Sequence, residues 1–480
     1  MKGKKEFSAS GKNVLIWGLG IAGGGMGAAI FFMRRHAKEV VVTDIKKEAQ
    51  LKKEIALLKK TAGQEGVPLR FVLGGHQSSL FKKADIIVQN PAIPRTSPYW
   101  KYIDKKKVIS DISIFFEEFP GMIIGVTGTK GKSTTATLVH LMLTAAEKKN
   151  ILAGNIGVSV LNCLSHASPD TIAVLELSSF GLETLPYCRR SPHIAVITNI
   201  FEDHLNRYAN FSDYINAKKM IARYQKKGDI LIINHDDPVI RGGIKKIKSR
   251  VLRYSTKKSS NDRNKIFASI HKGSFYVEGK RVCATRSVEG LGKLNQSNVL
   301  AAITVAYILG VSIKHISSVL VSFRGLPGRY QYIGSIKGAS IINDTCATNP
   351  FAAASAIDTA SKYFKKIYII AGGVDKRLPY ASFAKSLKRS KARLYLVQGS
   401  ASDLIVSECA KIGYDSIQRV MSLKEAFSDI IPIIKKRDCL ILSPAAASFN
   451  MFKNEFDRGA QFIKAYRIYK KKYERTAKKS

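Results

Sequence analysis

A chain of 480 residues, 45% of them apolar, is long enough for about three separately cored domains and too apolar for intrinsic disorder. Its formal net charge is +42, yet lysines such as Lys245, Lys246, Lys248, Lys257 and Lys258 are scattered, and no basic motif interleaved with aromatics marks a nucleic-acid module. That excess suits a solvated surface and polyanionic small substrates, while six distant cysteines without CxxC spacing argue against a disulfide framework or zinc site and fit a reducing cytoplasm.

An apolar strand over 14–17 leads into Gly18-Leu19-Gly20-Ile21-Ala22-Gly23. Residues 14–33 carry no charge and imitate a membrane span, but their glycine content points to a buried strand turning into a close-packed helix. No early apolar core with a small-residue cleavage site marks a signal peptide. Further strands are read over 39–43, ending in Asp44, and over 85–88, ending in Asn90-Pro91-Ala92-Ile93-Pro94. Alternating strands and helices predict a small doubly wound sheet over residues 1–118. Ligands of such sheets collect beyond the carboxyl ends of the strands, where Gly18, Gly20, Gly23, Asp44 and Asn90 fall. A GxGxxG followed by an acid suits a dinucleotide or a UDP compound alike, and spacing alone does not choose.

The second block, 119–324, opens with an apolar run over 122–124 and Gly125-Val126-Thr127-Gly128-Thr129-Lys130-Gly131-Lys132-Ser133-Thr134, followed by a helical pattern over 135–143. In such a strand, glycine loop and helix, the backbone N–H groups surround phosphate oxygens. Lys132 adds a point charge and the Ser133 hydroxyl can ligate Mg²⁺. A nucleoside triphosphate is the expected ligand. Strict P-loop spacing places a glycine at 126, where this chain has Val126, so the loop is a variant. Strands over 171–177, 194–198 and 229–233 are near-continuous apolar runs, as in a sheet covered on both faces. Glu176 ends the first of them. A carboxylate there either holds Mg²⁺ against the β- and γ-phosphates or belongs to a buried ion pair.

After the next strand His204 stands among acids in Asn199-Ile200-Phe201-Glu202-Asp203-His204, as a metal ligand or simply a hydrogen-bonded histidine. Downstream, Tyr214-Ile215-Asn216-Ala217-Lys218-Lys219 offers a lysine whose ammonium would repel Mg²⁺ but which CO₂ addition would turn into a carboxylate ligand. The third block, 325–480, begins at Gly325-Leu326-Pro327-Gly328, has strands over 340–342, 366–371, 393–397 and 438–442, and again reads as α/β. Its Lys-rich end, 469–480, reads as a solvated tail.

The segments GVTGTKGKST, LELSSFGLE, NIFEDHLNRY with YINAK, LNQSN, LPGRY, NDTCATN, AGGVDK and LSPAAASFNMFKNEFDRG stand in the order found in Mur ligases, ATP-dependent enzymes that add amino acids to a UDP-muramoyl peptide. The resemblance spans nearly the whole chain and is greatest to the members that add D-glutamate to UDP-N-acetylmuramoyl-L-alanine. It implies three α/β domains: a Rossmann-like UDP-binding one, a central ATPase-like one and a Rossmann-like one for the incoming amino acid. Gly18 to Gly23, Asp44 and Asn90 would hold the UDP group, and Asn155 the muramoyl or pyrophosphate portion. Gly128, Thr129, Lys130, Gly131, Lys132, Ser133 and Thr134 would bind ATP with Mg²⁺. Glu176 would share that cation, and His204 with carbamylated Lys218 would hold a second. Asn298 and Arg329 would contact the nucleotide, with Asp344 near its ribose, and Thr348, Lys376 and Ser448 would take the amino acid.

The implied chemistry is phosphorylation of the alanyl carboxylate to an acyl phosphate, which the glutamate amine then attacks. A cytoplasmic monomer is expected. The chain departs from the pattern at Cys346, where D-glutamate-adding members commonly have a lysine, at Gly181 in place of a frequent glutamine, and at Glu455 in place of an aromatic residue. A thiol brings no positive charge, so addition of L-glutamate or another amino acid stays the alternative. A folylpolyglutamate-type ligase would lack the first block. A nicotinamide oxidoreductase would leave the Lys132 loop unexplained, and a nucleic-acid-stimulated ATPase would use only the charge and that loop.

Overall fold

The computed structural model describes residues 7–20, 23–156, 159–203, 207–243, 247–257, 266–286, 288, 292–323, 325–448 and 451–477. The first sheet contains β1 (Asn13–Trp17), β2 (Glu39–Asp44), β3 (Leu69–Leu73), β4 (Ile86–Gln89) and β5 (Val108–Ile109), in the order β3-β2-β1-β4-β5, with every pair parallel. Strand order reverses between β1 and β4, which opens a crevice beyond their carboxyl ends. Gly18 and Asn90 follow those two strands directly. The uncharged run over 14–33 is β1 and the helix Gly24–Arg34. Among the described residues no helix is long and apolar enough to cross a membrane.

The second sheet contains β6 (Met122–Thr127), β7 (Asn150–Gly154), β8 (Ile172–Glu176), β9 (Ile194–Ile197), β10 (Ile230–Asn234), β11 (Arg250–Ser255), β12 (Ala268–His271), β13 (Ser274–Val277) and β14 (Lys280–Ala284). Their order is β14-β13-β12-β11-β10-β9-β6-β8-β7, parallel from β7 through β12 and antiparallel at the far edge. Val126, Val174, Leu175, Ala195 and Val196 are fully buried, as the continuous apolar runs of β6, β8 and β9 require. Here too the order reverses beside β6, and the phosphate loop emerges at that point.

The third sheet contains β15 (Gln331–Ile336), β16 (Ala339–Asn343), β17 (Ile367–Gly372), β18 (Arg393–Val397), β19 (Ile417–Val420) and β20 (Cys439–Leu442), in the order β15-β16-β20-β17-β18-β19. Only the β15–β16 pair is antiparallel. Each sheet with its helices is an α/β domain. The chain forms two compact units: Met1–Ala284 with Ser297–Val319, and Thr285–Gln296 with Leu320–Ser480. All six cysteines are free.

Candidate active site

The phosphate loop starts where β6 ends and runs into the helix Lys132–Ala145, which begins three residues earlier than the 135–143 pattern indicates. Gly131 is the reason. It caps the helix in the left-handed region, at φ 86°, and offers no side-chain acceptor to the first-turn N–H groups. A Cβ at Gly131 would lie 2.0 Å from Asn298 Oδ1, so the glycine and Asn298 fit only each other. The loop is pinned from β9: Thr129 N donates to Asn199 O (2.8 Å), Lys130 N to Asn199 Oδ1 (2.8 Å) and Thr198 Oγ1 to Lys130 O (2.6 Å). Lys132 Nζ folds back onto the carbonyls of Gly128 and Thr129, both at 3.1 Å. A helix start with an uncapped first turn and an adjacent ammonium is an anion site.

Glu176, at the end of β8, sits in register with Val126 of β6 and is 2% exposed. Its Oε2 accepts from Ser133 Oγ (2.5 Å) and its Oε1 from Asn155 Nδ2 (3.2 Å). A buried carboxylate and hydroxyl beside the phosphate loop are hard oxygen donors of the type Mg²⁺ takes. Lys218, also 2% exposed, projects from the helix Phe211–Lys219 and donates to Thr127 Oγ1 (3.2 Å) and Gly128 O (2.9 Å). Burial first, and the Lys132 charge next, hold its amine well below the ordinary lysine range; Asp203 and Glu176 act in the opposite sense. Lys219 reaches instead toward Gly243. Lys130 pairs with Asp203 at 3.6 Å. His204 lies outside the described residues, and among the described ones no group of three or more His, Cys, Asp or Glu side chains forms a metal cluster.

A cavity of about 750 Å³ joins the first two sheets within one compact unit. Gly18, Gly20, Asp44 and Asn90 line one end and Asn155 and Glu176 the other. Gly20 passes so close to Asn90 that a Cβ would meet Asn90 Nδ2 at 2.2 Å. Asp44 ties the glycine loop down, its Oδ2 accepting from Leu19 N and its Oδ1 from Lys46 N, both at 2.9 Å. Gly23 caps the helix Gly24–Arg34 and is not part of the cavity wall.

Three wall elements escape sequence reasoning. Trp17, His76 and Tyr99 form an aromatic rim, in which burial lowers the imidazole pKa and Thr43 Oγ1 lies 2.8 Å from Nδ1. The only hints are the lone aromatics of Gly74-Gly75-His76 and Pro98-Tyr99-Trp100. Asp111, first residue of the helix Asp111–Glu118, is pushed up to about 6 by burial, against the pull of the Ile112 N–H. Phe180 and Gly181 complete that side.

The second compact unit carries the remaining residues. Asp344 Oδ1 accepts from Tyr330 N (2.9 Å) and its Oδ2 from Ser443 Oγ (2.8 Å), next to Arg329 in the turn. Lys376 Nζ donates to Thr348 Oγ1 at 2.8 Å, and the buried Ser448 Oγ makes no hydrogen bond among the described residues. Burial pushes the Cys346 thiol up, so it stays neutral. Arg458, unforeseen from the sequence, is buried nearby and donates to Thr345 O (3.0 Å), Thr345 Oγ1 (3.2 Å) and Ala446 O (3.3 Å).

Two family models match: the Mur ligase middle domain over residues 126–306 and the Mur ligase, glutamate ligase domain over 328–446. UDP-N-acetylmuramoylalanine–D-glutamate ligase of Roseiflexus sp. (strain RS-1) is 34% identical over 478 residues, covering 94% of this chain and 98% of the relative. The chain belongs to the Mur ligase family. The enzyme of the same description from Borreliella afzelii (strain PKo) is 35% identical over 462 residues, 94% of this Mur ligase and 97% of the relative. Among solved structures, UDP-N-acetylmuramate-alanine ligase MurC from Thermotoga maritima has a TM-score of 0.58 at 20% identity, covering 96% of this chain and 100% of that one. The MurF ligase from the same organism, solved in complex with ADP, has a TM-score of 0.58 at 16% identity, covering 92% and 96%. These two establish the fold. The family is ATP-dependent.

Proposed function

We propose that this Mur ligase joins D-glutamate to UDP-N-acetylmuramoyl-L-alanine with hydrolysis of ATP to ADP and phosphate, in the cytoplasm and as a monomer. The observation that carries the reading is the continuous cavity running from Gly18, Asp44 and Asn90 to Glu176, whose carboxylate is hydrogen-bonded to Ser133 of the phosphate loop. A UDP-sugar lying along it points its peptide end at the γ-phosphate.

Lys132 and the uncapped first turn neutralise phosphate oxygens as charge develops on them, and Gly131 lets the backbone approach. Ser133 and Glu176 would hold Mg²⁺, which would supply charge neutralisation to the triphosphate. Lys218, whose amine burial holds well below the ordinary lysine range, would add CO₂ with release of a proton to become a carbamate, and with His204 would hold a second cation. The alanyl carboxylate attacks the γ-phosphorus and ADP leaves. Phosphorylation turns a carboxylate oxygen into a leaving group, so the amino-acid nitrogen can attack the carbonyl and expel phosphate; no protein nucleophile is needed. In the first unit Asn298 contacts the nucleotide, and in the second unit Thr348, Lys376 and Ser448 bind the amino acid.

Addition of L-glutamate or another acidic amino acid is the second reading, favoured by the neutral Cys346 where a lysine is common. A panel of amino acids, D- and L-glutamate first, assayed by ADP formation with UDP-N-acetylmuramoyl-L-alanine, separates the two. Lys132→Ala should abolish ADP formation while leaving the melting temperature unchanged. Turnover at the wild-type rate in that variant refutes the mechanism.

A further inference from the structure

Arg207 stands behind two walls of the substrate cavity at once. Its Nη1 donates to Ala92 O (2.7 Å), and its Nη2 lies within hydrogen-bond distance of Pro91 O (2.9 Å), Ile93 O (3.3 Å) and Glu183 Oε2 (3.2 Å). Its guanidinium carbon lies 3.9 Å from the centroid of the Phe180 ring. The three carbonyls belong to consecutive residues of the loop after β4, and Pro91, Ala92, Ile93 and Phe180 all border the cavity. The side chain is 12% exposed, and Arg95 secures the other carboxylate oxygen of Glu183 at 3.5 Å. A planar fork with fixed donor directions can serve three successive carbonyls and stack on a ring; an ammonium cannot do both.

The segment that carries Arg207 also carries Asp203, which pairs with Lys130 of the phosphate loop. Only three residues therefore separate a contact to the nucleotide loop from a contact to the UDP loop. We infer that Arg207 is a positioning residue: it sets the 91–93 wall of the substrate cavity relative to the phosphate loop, so that a UDP-sugar held by the first domain presents its carboxylate at the reacting distance. This inference rests on the proposed reading of the cavity.

The test uses the full chain and three variants, Arg207→Ala, Arg207→Lys and Glu183→Gln. It measures KM for UDP-N-acetylmuramoyl-L-alanine and for ATP, kcat, the direct Kd of the UDP-sugar and the melting temperature. Loss of several charge-assisted hydrogen bonds should raise KM and Kd for the UDP-sugar about tenfold or more in Arg207→Ala. KM for ATP should stay within about twofold, because the nucleotide loop keeps its own anchors at Asn199 and Thr198. Arg207→Lys should fall between, and Glu183→Gln, which keeps the carbonyl contacts, should shift KM about two- to threefold and covers the case in which the alanine variant does not fold. UDP-sugar affinity unchanged in all three variants, or KM for ATP rising in parallel, overturns the inference alone. A wild-type protein that binds no UDP-sugar overturns the reading beneath it and the inference together.

Discussion

Replacing Asp111 by Asn should stabilise the protein at neutral pH. Burial raises this carboxyl from an ordinary 3.8 to about 6, although its helix N-terminal position and the Ile112 N–H bond favour the charged form. The folded state thus binds the proton more tightly than the unfolded chain. Stability from this group is complete below pH 3.8, falls as pH rises toward about 6, and is lost above that. A rise of that size is worth about 3 kcal/mol, on the order of a 5 °C change in melting temperature for a unit of this size. Asn keeps an acceptor for the Ile112 N–H and has nothing to ionise. Thermal melts of wild type and Asp111→Asn from about pH 4 to 8 should therefore diverge with pH, the variant melting higher at about pH 7.5 and the two converging near pH 4. An offset independent of pH, or a variant that melts lower at the alkaline end, refutes the reasoning.

Gly131→Ala forces a left-handed alanine, costing about 1–2 kcal/mol, and drives its methyl into Asn298. KM for ATP should rise about tenfold with Kd for the UDP-sugar unchanged, and normal ATP binding would show that the cap is not part of the nucleotide site. Lys218→Ala should lose activity and regain part of it with a short carboxylic acid, while wild-type activity should fall in CO₂-depleted buffer. Equal activity with and without bicarbonate and no rescue would rule out a carbamate. Lys219→Ala should leave activity within about twofold, since its side chain reaches toward Gly243 rather than the loop.

Local chemistry is legible in the sequence wherever one short segment holds the whole signal. The apolar runs of β1, β2, β6 and β8, and the glycines and acids at their ends, place Gly18, Asp44 and Glu176 at or just past strand ends and Lys132 in the loop-to-helix step after β6. The absent P-loop glycine at 126 has a packing cause: Val126 is still inside β6, paired with Glu176 and Val196 and fully buried. Gly125 is small for a different reason, since a Cβ there would press on Pro192 Cγ at 2.4 Å. Strand β11 escapes the sequence pattern because Arg250 and Arg253 interrupt its apolar run, and β13 because it is only four residues long. Asp111, Arg207 and Arg458 are invisible there because each acts on partners far away in the chain. An acid in SDIS or an arginine in LNRY looks like a solvated charge until Gly24, Pro91–Ile93 or Thr345 is folded against it.

Tyr214 and Lys218 stand one turn apart on a single helix, and both reach under the nucleotide loop, the phenol to Thr129 Oγ1 at 3.2 Å and the amine to Gly128 O at 2.9 Å. The curvature of the ten-residue motif is therefore imposed from 85 and 90 positions downstream. Transplanted by itself into a foreign scaffold, GVTGTKGKST would keep its glycines and lose its shape. A portable version has to travel with that supporting helix.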